Sequence, residues 1–268
     1  MSKIQVKSDI LPSSDNLVST EDIPVQKKPY WGAWPTVGFG CGIQVVSVFI
    51  AMLVTIGFLV IGFTGDSVES IITYLLSLWE NGLYFAMVTI TTAIVCTYLI
   101  WLIIKMRHTL SVTEYLGLRP ISVKAILISL AIATGLIALS DGLSYVLGKP
   151  IVPEWQLNLY LNSGSPILLW AAFIVFGPIF EEALFRGFLF EGFRQSRIGV
   201  IGAVILTAFL WAISHVQYDA YGMIGILIWG IVLGVVRFRT GSLWSVLAMH
   251  ALLNLVATIE TAVYAMAN

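Results

Sequence analysis

Two stretches of this chain, 36–63 and 83–104, run without a single Asp, Glu, Lys or Arg. A helix needs about 20 predominantly apolar residues to cross the hydrocarbon of a bilayer, and both runs are long enough. A soluble fold could not absorb them. The 268 residues are 58% hydrophobic and 11% charged, against about 25% charged in a soluble domain, which leaves too little polar surface to coat a core. The expectation is an all-α, polytopic transmembrane helix bundle, since backbone inside lipid must satisfy its own hydrogen bonds. A net charge of -1 offers no field for nucleic acid, and that partner is excluded. Cys41 and Cys96 both lie in apolar runs, so they read as small core or lipid-facing residues and not as a disulfide or metal site.

Seven candidate spans follow: 36–63, 83–104, 123–147, 166–190, 199–217, 221–236 and 243–264. The sixth is short enough to be tilted or a partial crossing. Residues 1–30 mix Lys, Asp, Ser and Pro without period and read as a mobile tail. Residues 31–160 form an N-terminal group of membrane helices and 161–268 a C-terminal group with the chemistry. Basic residues in the loops set orientation. Lys3, Lys7, Lys27 and Lys28 precede the first span, Lys105, Arg107 and Arg119 follow the second, Arg194 and Arg197 the fourth, and Arg237 and Arg239 the sixth. The intervening loops hold Asp66, Glu69, Glu80, Glu154 and Asp219, with Lys149 as the only basic residue. This alternation predicts a cytoplasmic N-terminus in a bacterial inner membrane, seven crossings, and an outer C-terminus. An eighth helix would break the agreement.

The informative residues are those that interrupt the apolar runs. From Pro166 to Phe180 the fourth span is too short to cross, so it must take in Glu181, Glu182 and Arg186. Ionisable groups there cost roughly 2.5–3.5 kcal/mol each and imply function. A helix end with snorkelling carboxylates is the bland alternative, but glutamates are short for that and apolar residues continue to Phe190. Glu182 and Arg186 stand at i and i+4 and can pair. Glu181 is turned by about 100° from Glu182, free to face a wet cavity and serve as a general base. Trp211 and His215 are again at i and i+4, near the end of the fifth span, and His250 and Asn254 repeat the spacing inside the seventh. A lone His in a membrane helix is often only an interhelical hydrogen bond; three polar groups on three helices suggest one site. Depth is an imperfect check. Glu181 lies roughly 20 Å from the inner end of its helix and His215 roughly 24 Å, but His250 only roughly 12 Å from Ser242.

These residues carry a resemblance. Glu181-Glu182-Ala-Leu-Phe-Arg186 looks like the EExxxR motif of the CAAX prenyl protease and bacteriocin-processing family of intramembrane proteases. Trp211-Ala-Ile-Ser-His215 is similar to its FxxxH motif, with Trp for Phe, and His250-Ala-Leu-Leu-Asn254 matches HxxxN. Each motif is weak alone, but the ordered set is specific. Gly230-Ile-Val-Leu-Gly234 and the run from Arg239 to His250 also read like family sequence, and the resemblance covers about residues 165–258. It implies peptide-bond cleavage in or beside the membrane. The substrate would be a peptide or protein, lipidated in the prenyl branch, and the lipid itself would be a partner.

In such a reaction Glu181 can take a proton from water and return it to the amine, and His215 can orient the water. His250 and Asn254 can offer N–H donors to the oxyanion. The competing scheme makes Glu181, His215 and His250 ligands of a divalent ion such as zinc, with an open fourth position. The HExxH signature of zincins is not in the sequence. Two rival classes are an inactive membrane immunity or scaffold protein, which would tolerate loss of Glu181, and a proton-coupled carrier. The carrier would usually show repeats in both halves, whereas these polar groups cluster in one. The arginines around the site lead to the further expectation that water and substrate enter from the cytoplasmic side.

Overall fold

A computed structural model of the chain describes residues 30–164 and 166–267. The expected N-terminal tail, but for Tyr30, lies outside the described residues. Among those residues the fold is all-helical, with no strand. Six helices are long and apolar enough to cross a membrane and a seventh is apolar but shorter.

The first long helix, α1, runs Ala33–Gly62. It leaves Val45, Phe49, Met52, Ile56, Val60 and Ile61 exposed, an apolar surface of the kind lipid covers. A short helix, α2 (Val68–Ser77), begins with a Ser67–Ser70 capping box in what reads from sequence as a plain loop. The next crossing, α3, spans Gly82–Arg107 from an Asn81 cap. A single turn, α4 (Val112–Leu116), follows, capped by Ser111 and Glu114 and stopped by Gly117 in the left-handed region. Then come α5 (Val123–Val146) and the short α6 (Glu154–Leu161).

The fourth crossing, α7, is Pro166–Arg194, and it is not a uniform α-helix. Two π segments, Ala172–Phe176 and Ala183–Leu189, flank an α-helical piece, Gly177–Glu182. Widened turns of this kind often mark functional sites. From Glu182 to Phe193 every residue is buried. Glycines let the neighbours approach: a methyl group at Gly40 on α1 would meet Leu189 at 2.9 Å, and one at Gly187 would meet Leu116 at 2.7 Å.

The last three crossings are α8 (Gly199–Ile213), α9 (Ala220–Thr240) and α10 (Leu243–Ala267). The lengths correct the sequence expectation: the fifth span is the short one and the sixth a full 21 residues. The fifth stops early because the Trp211 carbonyl is taken by side chains. Ser214 Oγ donates to it at 2.7 Å, and His215 Nδ1 lies 2.8 Å from it, so the ladder does not continue. The sixth runs on because Arg237 is buried and partnered, and it ends at Gly241 with φ +65°. Gly230 and Gly234 bring α9 onto α8, since added methyl groups would meet Ala208 at 2.9 Å and Val204 at 3.1 Å.

Arg237 donates to Glu191 Oε1 at 3.0 Å and to the Arg186 carbonyl at 3.0 Å. These bonds set the end of α9 beside the 186–191 turn of α7. The α9–α10 corner is seated on the α4 segment by Leu243 N–H to the Gly117 carbonyl (2.8 Å) and Ser242 Oγ to the Arg119 carbonyl (2.8 Å).

Candidate active site

Glu181 and Glu182 are adjacent in sequence and face different surroundings. Glu182 is fully buried, as is Arg186, and they pair at 2.9 Å. The same oxygen, Glu182 Oε1, lies 2.9 Å from His250 Nδ1. Arg186 also donates to the Gly230 carbonyl at 3.4 Å and lies 4.3 Å above the Trp211 ring. Its charge is thus held by a carboxylate, a carbonyl and an aromatic face. Trp211 Nε1 in turn donates to Glu181 Oε2. That bond is particular to the Trp that stands for Phe in the second motif: an indole has an N–H to give and a phenylalanine has none.

Glu181 has a side chain about 25% exposed. Its Oε2 lies 3.9 Å from His215 Nε2 and 4.0 Å from His250 Nε2. The partners on the far side of each ring assign the tautomers. His215 Nδ1 faces a carbonyl and His250 Nδ1 a carboxylate; both are acceptors, so each Nδ1 carries the hydrogen. In the neutral rings both Nε2 atoms are therefore lone pairs directed toward a carboxylate. Three acceptors separated by about a water's width call for a hydrogen donor between them.

The structure thus brings Glu181, Glu182, Arg186, Trp211, His215 and His250 into one connected cluster. Three placements differ from expectation. His215 is not on a helix; it lies just past α8, in the link 214–219. Asn254 spends one amide hydrogen on the Phe173 carbonyl at 2.7 Å. The reason lies in the first π segment, where Gly177 N–H reaches back to the Ala172 carbonyl. The next such bond, to Phe173, would need the N–H of residue 178, which is proline, and Asn254 supplies the missing donor. His250, with its hydrogen on Nδ1, has no N–H turned toward Glu181 while neutral.

A further difference is the open side. The arginine-rich end is closed by the buried run Glu182–Phe193 and by Arg237, which is 3% exposed. The partly open members are Glu181 and His215, the latter 18% exposed and in a link at the opposite end. The expected entry from the arginine-rich end meets a route filled by large aromatics and buried ion pairs.

The candidate metal ligands, Glu181, His215 and His250, stand wider apart than a tetrahedral zinc site holds them. Ligands around tetrahedral zinc at about 2.0–2.1 Å sit roughly 3.3 Å apart, closer than the 3.9 and 4.0 Å found. Glu181 Oε2, which would be the ligand atom, is already the acceptor of Trp211. Among the described residues no group of three His, Cys, Asp or Glu is gathered for a metal.

Residues 163–256 match the family model for type II CAAX prenyl endopeptidase Rce1-like. This Rce1-like segment contains the whole cluster, from the start of α7 to the middle of α10. No curated protein and no solved structure matches the chain. The apolar helices and the Rce1-like match together make this an integral membrane protein.

Sequence reading missed several residues around the cluster. Arg237 reads as a loop charge, but it is buried beneath the cluster and paired there with Glu191. On the open side Trp155 and Tyr218 form an aromatic wall with Phe173: Trp155 lies 6.1 Å from Phe173 and 5.2 Å from Tyr218, and Tyr218 lies 6.2 Å from His215. Their positions come from α6, which Gln156 pins to α10 through Thr261 Oγ1 (2.7 Å) and the Ala257 carbonyl (3.1 Å). No periodicity in the 148–165 loop signals this docking.

Proposed function

We propose that this protein is a glutamate-dependent intramembrane endopeptidase, hydrolysing peptide bonds of membrane-resident substrates. The observation that carries the reading is the carboxylate of Glu181 facing the Nε2 atoms of His215 and His250, each ring fixed from behind. Glu181 takes one proton from a water held among the three acceptors, and the water oxygen bonds to the carbonyl carbon. As the intermediate collapses, the C–N bond breaks and Glu181 returns the proton to the amine. His215 and His250 orient the water, and Glu182, Arg186 and Trp211 fix His250 and Glu181. Asn254 holds the bend of α7 and has a second amide hydrogen to offer. No step needs a metal. If an ion does act, Glu181, His215 and His250 are its ligands and must close by more than half an ångström. An immunity or scaffold role, or a carrier, would have no use for so fully prepared a water site. The matched family name supports a CAAX-type substrate, a peptide following a lipidated cysteine. The loop charges support a cytoplasmic N-terminus in a bacterial inner membrane, with the site opening away from the cytoplasm.

The test uses the full chain in lipid nanodiscs with two fluorogenic peptides, one carrying a farnesylated cysteine before three apolar residues and one without the lipid. Peptidomics of membranes from cells with wild-type or Glu181→Gln protein runs beside it. Cleavage by the wild type that Glu181→Gln abolishes, and that phenanthroline leaves intact, is the expected result. Equal peptide profiles and equal cleavage for both proteins would overturn it.

A further inference from the structure

The hydrolase reading leaves one requirement open: a hydrogen-bond donor for the oxygen of the peptide carbonyl. Of the two candidates from sequence, His250 is committed through Nδ1 to Glu182, and Asn254 keeps only one amide hydrogen after bonding Phe173, a single donor for an oxygen that can take two. The donor must be near Glu181, carry a hydrogen at all working pH values, and have no other acceptor.

Tyr218 meets these conditions. The link after α8 folds back as a turn, with Tyr218 N–H donating to the His215 carbonyl at 3.1 Å. The next residue, Asp219, caps α9 through the N–H of Gly222 at 2.9 Å. The ring is therefore fixed from both sides along the chain. It is fixed laterally by Trp155, edge-on at 5.2 Å, and stands 6.2 Å from the His215 ring. Its hydroxyl has no hydrogen-bond partner among the described residues, unlike Tyr74, Tyr84, Tyr115 and Tyr221, each of which is bonded through its oxygen. Burial first, and the Glu181 carboxylate second, push its phenol above the ordinary value, so it stays protonated.

We propose that Tyr218 donates its phenolic hydrogen to the carbonyl oxygen of the scissile peptide, an inference that rests on the hydrolase reading above. As the water oxygen bonds to the carbonyl carbon, the π pair moves onto that oxygen, and the Tyr218 O–H bond to it strengthens. The proton stays on the tyrosine throughout, and the pair returns when the C–N bond breaks. A donor aimed at the developing oxyanion acts on the chemical step more than on binding.

The experiment compares wild type, Tyr218→Phe and Glu181→Gln as full chains in nanodiscs on the fluorogenic peptide the wild type cleaves. Phenylalanine keeps the ring contacts and removes only the O–H. The expected result is a kcat lowered about 100- to 1,000-fold, with KM within about twofold and thermal unfolding unchanged. Fluorotyrosine at position 218 should restore most of the rate, because it restores a donor. If Tyr218→Phe keeps wild-type kcat while Glu181→Gln is inactive, this proposal fails and the hydrolase reading stands. If Glu181→Gln is fully active, the reading itself fails. A kcat loss in Tyr218→Phe that fluorotyrosine does not repair, or that tracks a lower melting temperature, assigns a structural role and also overturns the proposal.

Discussion

The two sides of Glu181 are built on opposite plans. Toward the arginine-rich end, Glu182, Arg186, Glu191 and Arg237 are all buried and tied to one another or to carbonyls of α7, α9 and the α4 segment. Toward the other end, Glu181, His215 and Tyr218 hold unused hydrogen-bonding capacity behind a wall of aromatics. One side turns its charges on each other, out of reach of water. The other keeps a lone pair or a hydrogen in reserve at each position. Charge alone does not make a site here; unsatisfied charge within reach of water does.

The contrast can be broken most sharply at Glu181. Glu181→Gln should lower kcat by about 100- to 10,000-fold and leave the melting temperature where it was, because the open side carries little of the fold. The buried side should answer in the reverse manner. Glu182→Leu or Arg186→Met strands a charge and should cost about 3–5 kcal/mol, read as lost expression or early thermal unfolding, while the double variant recovers part of it. If both singles melt like the parent, the buried network is not what holds the helices together. Gly230→Ala tests the join between the sides: its methyl group would press on Ala208 and, at 3.2 Å, on Trp211. It should cost about 1–3 kcal/mol and lower activity through the displaced indole. Asn254→Ala leaves the Phe173 carbonyl without a donor and should cost about 1–3 kcal/mol. The smallest perturbation is a reporter. In a protein lacking Cys41 and Cys96, a cysteine at Gln217 should react with a charged thiol reagent and one at Leu184 should not. The opposite pattern would return access to the arginine-rich end.

Much of this was legible in the sequence because lipid is an unforgiving solvent. A carboxylate within an apolar run, as at Glu181, or a histidine in the middle of α10, has few reasons to be there. The i, i+4 spacing of Glu182 and Arg186 anticipated their contact. The resemblance pointed to the segment that the family match covers. What stayed hidden depends on tertiary meeting. Hydropathy treated Arg237 as the end of a span, although its guanidinium is satisfied by groups from α4 and α7. His215 reads as part of a helix, but its own ring helps to occupy the Trp211 carbonyl near the helix end. Tyr218 lacks any local signal, since a tyrosine in a link is ordinary until Trp155 and His215 are placed beside it. The Gly177-Pro178 pair is a readable sign in the sequence that α7 is not regular.

That irregularity ties the chemistry to chain length. An i→i+5 turn accommodates one residue more than an i→i+4 turn, so each π segment of α7 behaves as a single extra residue lodged in a helix. Removing one residue from 172–176 would let the α-helical ladder close and would turn the preceding stretch by about 100° relative to Glu181, carrying the Phe173 carbonyl away from Asn254. Every side chain of the cluster would remain, in its original order and with its motif spacing intact. The cluster would nevertheless come apart, because its alignment is counted along the chain as well as spelled by it.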